Sequence, residues 1–186
     1  MMEFLATNFN LPTIIVSIIV FGGTGWLGHS IVLDLIRGGY DVTICSRGRK
    51  STFLEKVSSV KTVSADKSDE AAMKEILACR SCPTAIIVQN DVTAMAAMAI
   101  AVNAGVKVPE QISFVGFDNI LESRYAVPAL TTLDIRIEET AAHLADLLMK
   151  RIKNPKTPVM SCRIEPELVL RKSCISLKMP DAASNQ

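Results

Sequence analysis

Short apolar runs rich in β-branched residues alternate with stretches whose apolar positions recur at helical spacing, from residue 13 to residue 171. Thr13 to Phe21 is such a β-branched run and predicts a buried strand. His29 to Arg37 carries Ile31, Val32, Leu35 and Ile36 at helical spacing and stops at Gly38-Gly39, which predicts a helix. Strands are expected at Asp41 to Cys45 and Val60 to Ala65. A helix is expected from Ser68 to Leu77, where a serine cap and acidic residues open the first turn. The rhythm then repeats with a strand from Thr84 to Val88 and a helix from Asp91 to Ala104, closed by Gly105. Strands at Ile112 to Phe117 and Leu130 to Ile135 lead to an amphipathic helix, Ile137 to Ile152. Val159 to Ile164 and Glu167 to Arg171 read as closing strands. This alternation predicts a three-layer α/β/α sandwich around a mostly parallel, doubly wound sheet with right-handed crossovers.

Composition narrows that picture. At 186 residues the chain fits one domain, 1–177, with halves at 13–77 and 78–177 and a polar tail at 178–186. Apolar residues make up 49% and aromatics only 5%, so the core must be aliphatic, as in a buried parallel sheet covered by helices. A net charge of +1 argues against a protein whose main work is gripping nucleic acid or an anionic membrane. The longest apolar stretch, Ile14 to Phe21, is far short of the roughly 20 residues that span a bilayer. The first basic residue is Arg37, which leaves no positive start for a secretory signal. Five cysteines, an odd number, then read as reduced thiols in a cytoplasmic protein.

Candidate chemistry begins at Gly23-Thr24-Gly25-Trp26-Leu27-Gly28, a G-x-G-x-x-G run between a strand and a helix. Glycines there permit a tight turn and close approach to a pyrophosphate, and the helix start offers unpaired N–H groups. A tight βα connection without a ligand explains the same residues. Phe21 to Gly28, continuing through Gly39-Tyr40-Asp41-Val42-Thr43 into Ser46-Arg47-Gly48-Arg49, resembles the opening of extended short-chain dehydrogenases. That resemblance, over roughly Ile18 to Leu77, implies a cofactor site at Gly22, Thr24, Gly25, Trp26, Leu27 and Gly28. It also implies Asp66 beside an adenine and, with Arg47 in place of an acidic residue, NADP rather than NAD. The family's catalytic Tyr-x-x-x-Lys is missing: Tyr40 is followed four residues on by Ile44, and Tyr125 by Ala129. No catalytic residues are therefore expected, and no enzyme activity.

A second resemblance covers about Ala71 to Cys174. Thr84-Ala85-Ile86-Ile87-Val88-Gln89-Asn90-Asp91, then Gly105-Val106-Lys107-Val108-Pro109, Ser113-Phe114-Val115-Gly116-Phe117-Asp118 and Pro128-Ala129-Leu130-Thr131-Thr132-Leu133 follow in order. This run is similar to the effector-binding core of lactose/galactose-repressor regulators. The resemblance implies a periplasmic-binding-protein-like fold and a ligand contact at Asp91, a residue that an N-cap role explains equally well. Asp118 reads as a strand-end turn residue. The helix after Asp91 implies a homodimer through Met95, Met98 and Val102, although the same stripe suits packing on the sheet. The family's DNA-binding headpiece and its other lobe have no counterpart, so DNA binding by this chain alone is not expected. The helix Ile137 to Ile152 packs on that other lobe in the family.

Cys79-Arg80-Ser81-Cys82 follows a predicted helix instead of opening one, which argues against redox or metal chemistry. Together these features read as a non-catalytic junction, natural or constructed, of a dinucleotide-binding half and a repressor-type sensor half. The alternatives are a truncated sugar- or nucleobase-sensing regulator and a fragment of an NADP-dependent reductase. A small-molecule or nucleotide ligand is expected; a membrane and a metal are not.

Overall fold

A computed structural model describes residues 17–47, 60–65 and 83–176, together with Ala71, Lys74 and Ile76, which are helical. The elements run β1 (Ser17–Phe21), α1 (Trp26–Arg37), β2 (Asp41–Ser46), β3 (Lys61–Ser64) and β4 (Ala85–Val88). They continue with α2 (Asp91–Asn103), β5 (Ser113–Phe117), β6 (Thr131–Asp134), α3 (Ile137–Lys153) and β7 (Glu167–Val169). A short 3-10 turn, Leu121–Arg124, joins β5 to β6.

The strands form one sheet in the order β3-β2-β1-β4-β5-β6-β7. Every neighbouring pair is parallel except β6 and β7, which are antiparallel. The two halves of the chain meet at β1 and β4, where Ile18 to Phe21 lie opposite Ala85 to Val88. The strand order reverses at this seam, with β2 on one side of β1 and β4 on the other, and each face takes its own helix.

The period-two alternation of β1 sets up the two faces. Ile18 and Val20 join Val42 and Ile44 under Val32 and Leu35 of α1. Ile19 and Phe21 point the opposite way, with Ile86, Val88 and Phe114, under Ala94, Ala97, Met98 and Ala101 of α2. Val20, Val32, Val42, Ile86 and Phe114 are at most 1% exposed. Burying each such side chain contributes about 1.5–3 kcal/mol. Alanines on α2 let that helix lie close to the sheet beneath it.

One sequence expectation fails. Val159 to Ile164 forms no strand: residues 158–166 carry no regular structure and Val159 is 86% exposed, because β7 takes the sheet edge instead. The long helix α3 is regular from Ile137 to Lys153 but has no buried residue. Its apolar side chains Ile137, Leu144, Leu148 and Ile152 are each 61–62% exposed, so it covers neither face of this sheet.

Candidate functional site

The glycine turn and the ends of β1, β2 and β4 enclose a cleft of roughly 270 Å³ at the carboxyl edge of the sheet. Gly22, Thr24 and Gly25 line it from the turn, Ser46 and Arg47 from the end of β2, and Gln89 from the end of β4. The cleft sits at the strand-order reversal, where open α/β sheets have a natural crevice between diverging connections.

The turn is built as its glycines demand. Gly22 has φ +80, the left-handed region that glycine enters without strain, and its N–H donates to Cys45 O at 3.1 Å. Gly25 donates to Gly22 O at 2.9 Å and becomes the N-cap of α1, with no side chain to occupy the helix start. A Cβ at Gly28 would stand 2.7 Å from Gly23 Cα and closer still to Gly22 O. A Cβ at Gly23 would stand 2.9 Å from Ile44 Cγ2. Two glycines thus permit helix–strand packing, while Gly25 leaves the mouth of the turn open.

Ser46 is 9% exposed, and its hydroxyl has no hydrogen-bond partner among the described residues. Arg47 is exposed and is the one charged side chain among the described residues lining the cleft. Cys45 lines it too, and burial pushes its thiol up to about 11, so it is protonated and unreactive at neutral pH.

A second polar cluster lies at the carboxyl ends of β5 and β6. Asp91 is fully buried; its Oδ1 accepts from Thr132 Oγ1 at 2.5 Å and its Oδ2 from the Ile120 N–H at 3.0 Å. Arg171 donates to Ser123 Oγ at 2.8 Å, to Leu130 O at 2.7 Å and to Asn119 Oδ1 at 2.5 Å. Asn119 in turn donates to Asp134 Oδ2 at 2.8 Å. These bonds hold Asp118 and Asn119 at φ 112 and φ 54, a left-handed backbone that few non-glycine residues adopt. Burial and the Asp91 charge both push the Asp118 carboxyl above its ordinary range.

The structure therefore brings Gly22, Thr24, Gly25 and Arg47 to one cleft, with Gly28 packed behind it. Trp26 and Leu27 open α1. Asp66, and the Cys79 and Cys82 pair, lie outside the described residues. Of the two roles expected of Asp91, the helix cap goes to its neighbour. The N-cap of α2 is Asn90, whose side chain accepts from the Thr93 N–H at 2.8 Å, and both Asp91 oxygens are spent on the protein itself with no exposed surface for a ligand. The helix stripe divides: Met98 is 2% exposed in the core, Met95 packs partly buried against it, and Val102 is 41% exposed. Ser46 and Gln89 fall inside the runs that carry the two resemblances without being site residues there, and tertiary proximity is what marks them, and Arg171, as parts of a site.

An open α/β sheet with a crevice at its carboxyl edge and a closing antiparallel strand defines a class of ligand-binding lobe. The periplasmic binding protein-like domain family matches residues 43–174, and the chain belongs to that family. The HTH-type transcriptional repressor PurR of Edwardsiella ictaluri is 37% identical over 107 residues, covering 58% of this chain and 31% of the repressor. PurR of Escherichia fergusonii is 36% identical with the same coverage. The chain thus spans about a third of the length of these curated relatives. Among solved structures, the lac repressor dimer bound to operator and the anti-inducer ONPF has a TM-score of 0.67 at 20% identity, covering 87% of this chain and 53% of that one. A LacI-type transcription regulator from Bifidobacterium animalis has a TM-score of 0.61 at 25% identity, covering 93% and 61%. Ahead of residue 43, β1 and the start of β2 lie in the same sheet as the strands of the matched span. The family span also runs unbroken across residue 77, where the two halves of the chain were expected to meet. These relatives support the repressor-type resemblance and lend none to a dehydrogenase half or to a chimera.

Proposed function

We propose that this chain is the effector-binding part of a LacI/PurR-type regulator, a non-catalytic module that takes a small molecule at the carboxyl edge of its sheet. The observation that carries the reading is the loop after β5. Asp118 and Asn119 sit at positive φ, with Asn119 bonded to Thr132 and Arg171 and the next residue, Ile120, to Asp91, a strained arrangement retained where ligands meet open α/β sheets. Among the described residues nothing hydrogen-bonds the Asp118 carboxylate, which leaves it to accept from ligand hydroxyls or N–H groups. The repressor relatives, and a LacI family regulator from Enterococcus faecium solved with bound ribose (TM-score 0.65, 22% identity, covering 88% of this chain and 58% of that one), support a sugar or nucleobase as the ligand class.

A homodimer would use the exposed side of α2, at Val92, Ala96, Ala99 and Val102, and not the core residue Met98. No helix among the described residues is long and apolar enough to cross a membrane. As a sensor module the chain would work in the cytoplasm.

A thermal-shift screen of monosaccharides and nucleobases tests the reading. At least one compound should raise the melting temperature, and Asp118→Ala should abolish that rise while the variant still unfolds cooperatively. A folded protein that responds to neither class would overturn it.

A further inference from the structure

The glycine turn lies ahead of the span that matches the family, and the sensor reading makes no use of it. We infer that the cleft between this turn and the ends of β2 and β4 is a binding site for the phosphoryl group of a phosphorylated small molecule. The site does not depend on the sensor reading.

Three independent features converge there. First, α1 has twelve residues and starts at the cleft with a glycine N-cap, no side-chain cap and no acidic residue in its first turn. The positive end of its dipole and its first N–H groups are therefore not neutralised by a side chain of the helix itself. Second, Ser46 lines the same cleft, is nine-tenths buried, and its hydroxyl has no hydrogen-bond partner among the described residues. A buried hydroxyl left unpaired is unfavourable, and a phosphoryl oxygen accepting its proton would relieve that. Third, the charge is one-sided: Arg47 lines the cleft, and no Asp or Glu does among the described residues. A guanidinium offers two parallel N–H donors to phosphate oxygens.

Geometry limits what else can enter. Gln89 lies against Gly22, so its carboxamide closes one side and offers a donor and an acceptor to ligand hydroxyls. Phe21 and Ala65 supply apolar walls. The room is that of a phosphate with a sugar-sized body. A dinucleotide such as NADP would have to extend beyond the cleft past Arg47.

The chain has one tryptophan, Trp26, the first residue of α1, which serves as a fluorescence probe. The full chain is titrated with ribose 5-phosphate, ribose, inorganic phosphate and NADP, following Trp26 fluorescence and the melting temperature. Ribose 5-phosphate is expected to bind at least tenfold more tightly than ribose. Binding of inorganic phosphate would support recognition of the phosphoryl group alone, and tighter binding of NADP would extend the ligand past Arg47. Arg47→Ala, an exposed substitution, should weaken binding at least tenfold and leave the melting temperature of the free protein unchanged. Ser46→Ala should weaken binding while raising that melting temperature, which a serine needed only for folding would lower. The site is overturned if no phosphorylated probe binds, if ribose binds as tightly as its phosphate, or if both variants bind as the parent does.

Discussion

Thr132 Oγ1 donates to Asp91 Oδ1 at 2.5 Å, across 41 residues of chain, and both side chains are fully buried. The bond ties the first residue of α2 to the middle of β6, while the other Asp91 oxygen holds the Ile120 N–H. Asp91→Ala would strand a buried hydroxyl and a backbone N–H, so a loss of about 2–4 kcal/mol in urea unfolding is expected. Thr132→Val removes one donor and should cost less. If Asp91→Ala unfolds at the same urea concentration as the parent, the structural role assigned to Asp91 fails.

The glycines of the turn separate by the space around them. A methyl at Gly28 would collide with the backbone of Gly22 and Gly23, whereas at Gly25 the nearest atom, Gly22 O, stands 3.3 Å away. Gly28→Ala is expected to destabilise by about 2–4 kcal/mol, in the range of overpacked cores. Gly25→Ala should change stability by less than about 1 kcal/mol. Melting temperatures of the two variants decide this, and equal losses would contradict the packing described.

Asp118 should give a pH-dependent signature. Burial and the neighbouring Asp91 raise its carboxyl in the folded state, so ionisation is easier in the unfolded chain. Its negative charge therefore lowers stability once pH rises through the ordinary carboxylate range, and protonation at lower pH restores what was lost. Asp118→Asn is expected to melt above the parent at pH 7, with the difference shrinking as pH falls towards about 4 and gone below it. An advantage that stays constant from pH 7 to pH 4 would rule this out.

Arg171 acts as a fork, reaching Ser123 and Leu130 through one nitrogen and Asn119 through the other. A lysine has one nitrogen and cannot reproduce that geometry. Arg171→Lys should lose about 1–3 kcal/mol and loosen the loop at 118–120. Faster amide exchange in that loop than in the parent is the expected observation.

Cys45 and Cys162 should differ in alkylation. Burial holds the Cys45 thiol protonated, and Cys162 is exposed. In native protein at pH 8, iodoacetamide is expected to modify Cys162 and spare Cys45, which should react only after urea is added. Peptide mass mapping reads both sites, and rapid native labelling of Cys45 would show that the end of β2 is not packed as described.

The alternation of β-branched runs and helix-spaced stretches determined the sheet, its parallel character and the positions of α1, α2 and α3, because period two and period 3.6 are properties of local sequence. The glycine turn was legible for the same reason, since a φ of +80 at Gly22 and the tight contact at Gly28 both call for a residue without a side chain. Pattern could not choose between faces that are both apolar. Alanine, valine and methionine run all round α2, so which of Met95, Met98 and Val102 entered the core depended on how the helix was rolled onto β4 and β5. Nor could spacing separate Asn90 from Asp91. Either carboxyl or carboxamide caps a helix, and a threonine 41 residues away drew Asp91 inward and left the cap to Asn90. Val159 to Ile164 had the composition of a strand, but a strand needs a partner edge, and β7 occupies it. Ser46, Arg47 and Gln89 became one cleft only when β1, β2 and β4 came together. Local sequence sets how each segment hydrogen-bonds to itself, while contacts between distant segments decide which side chains share a site.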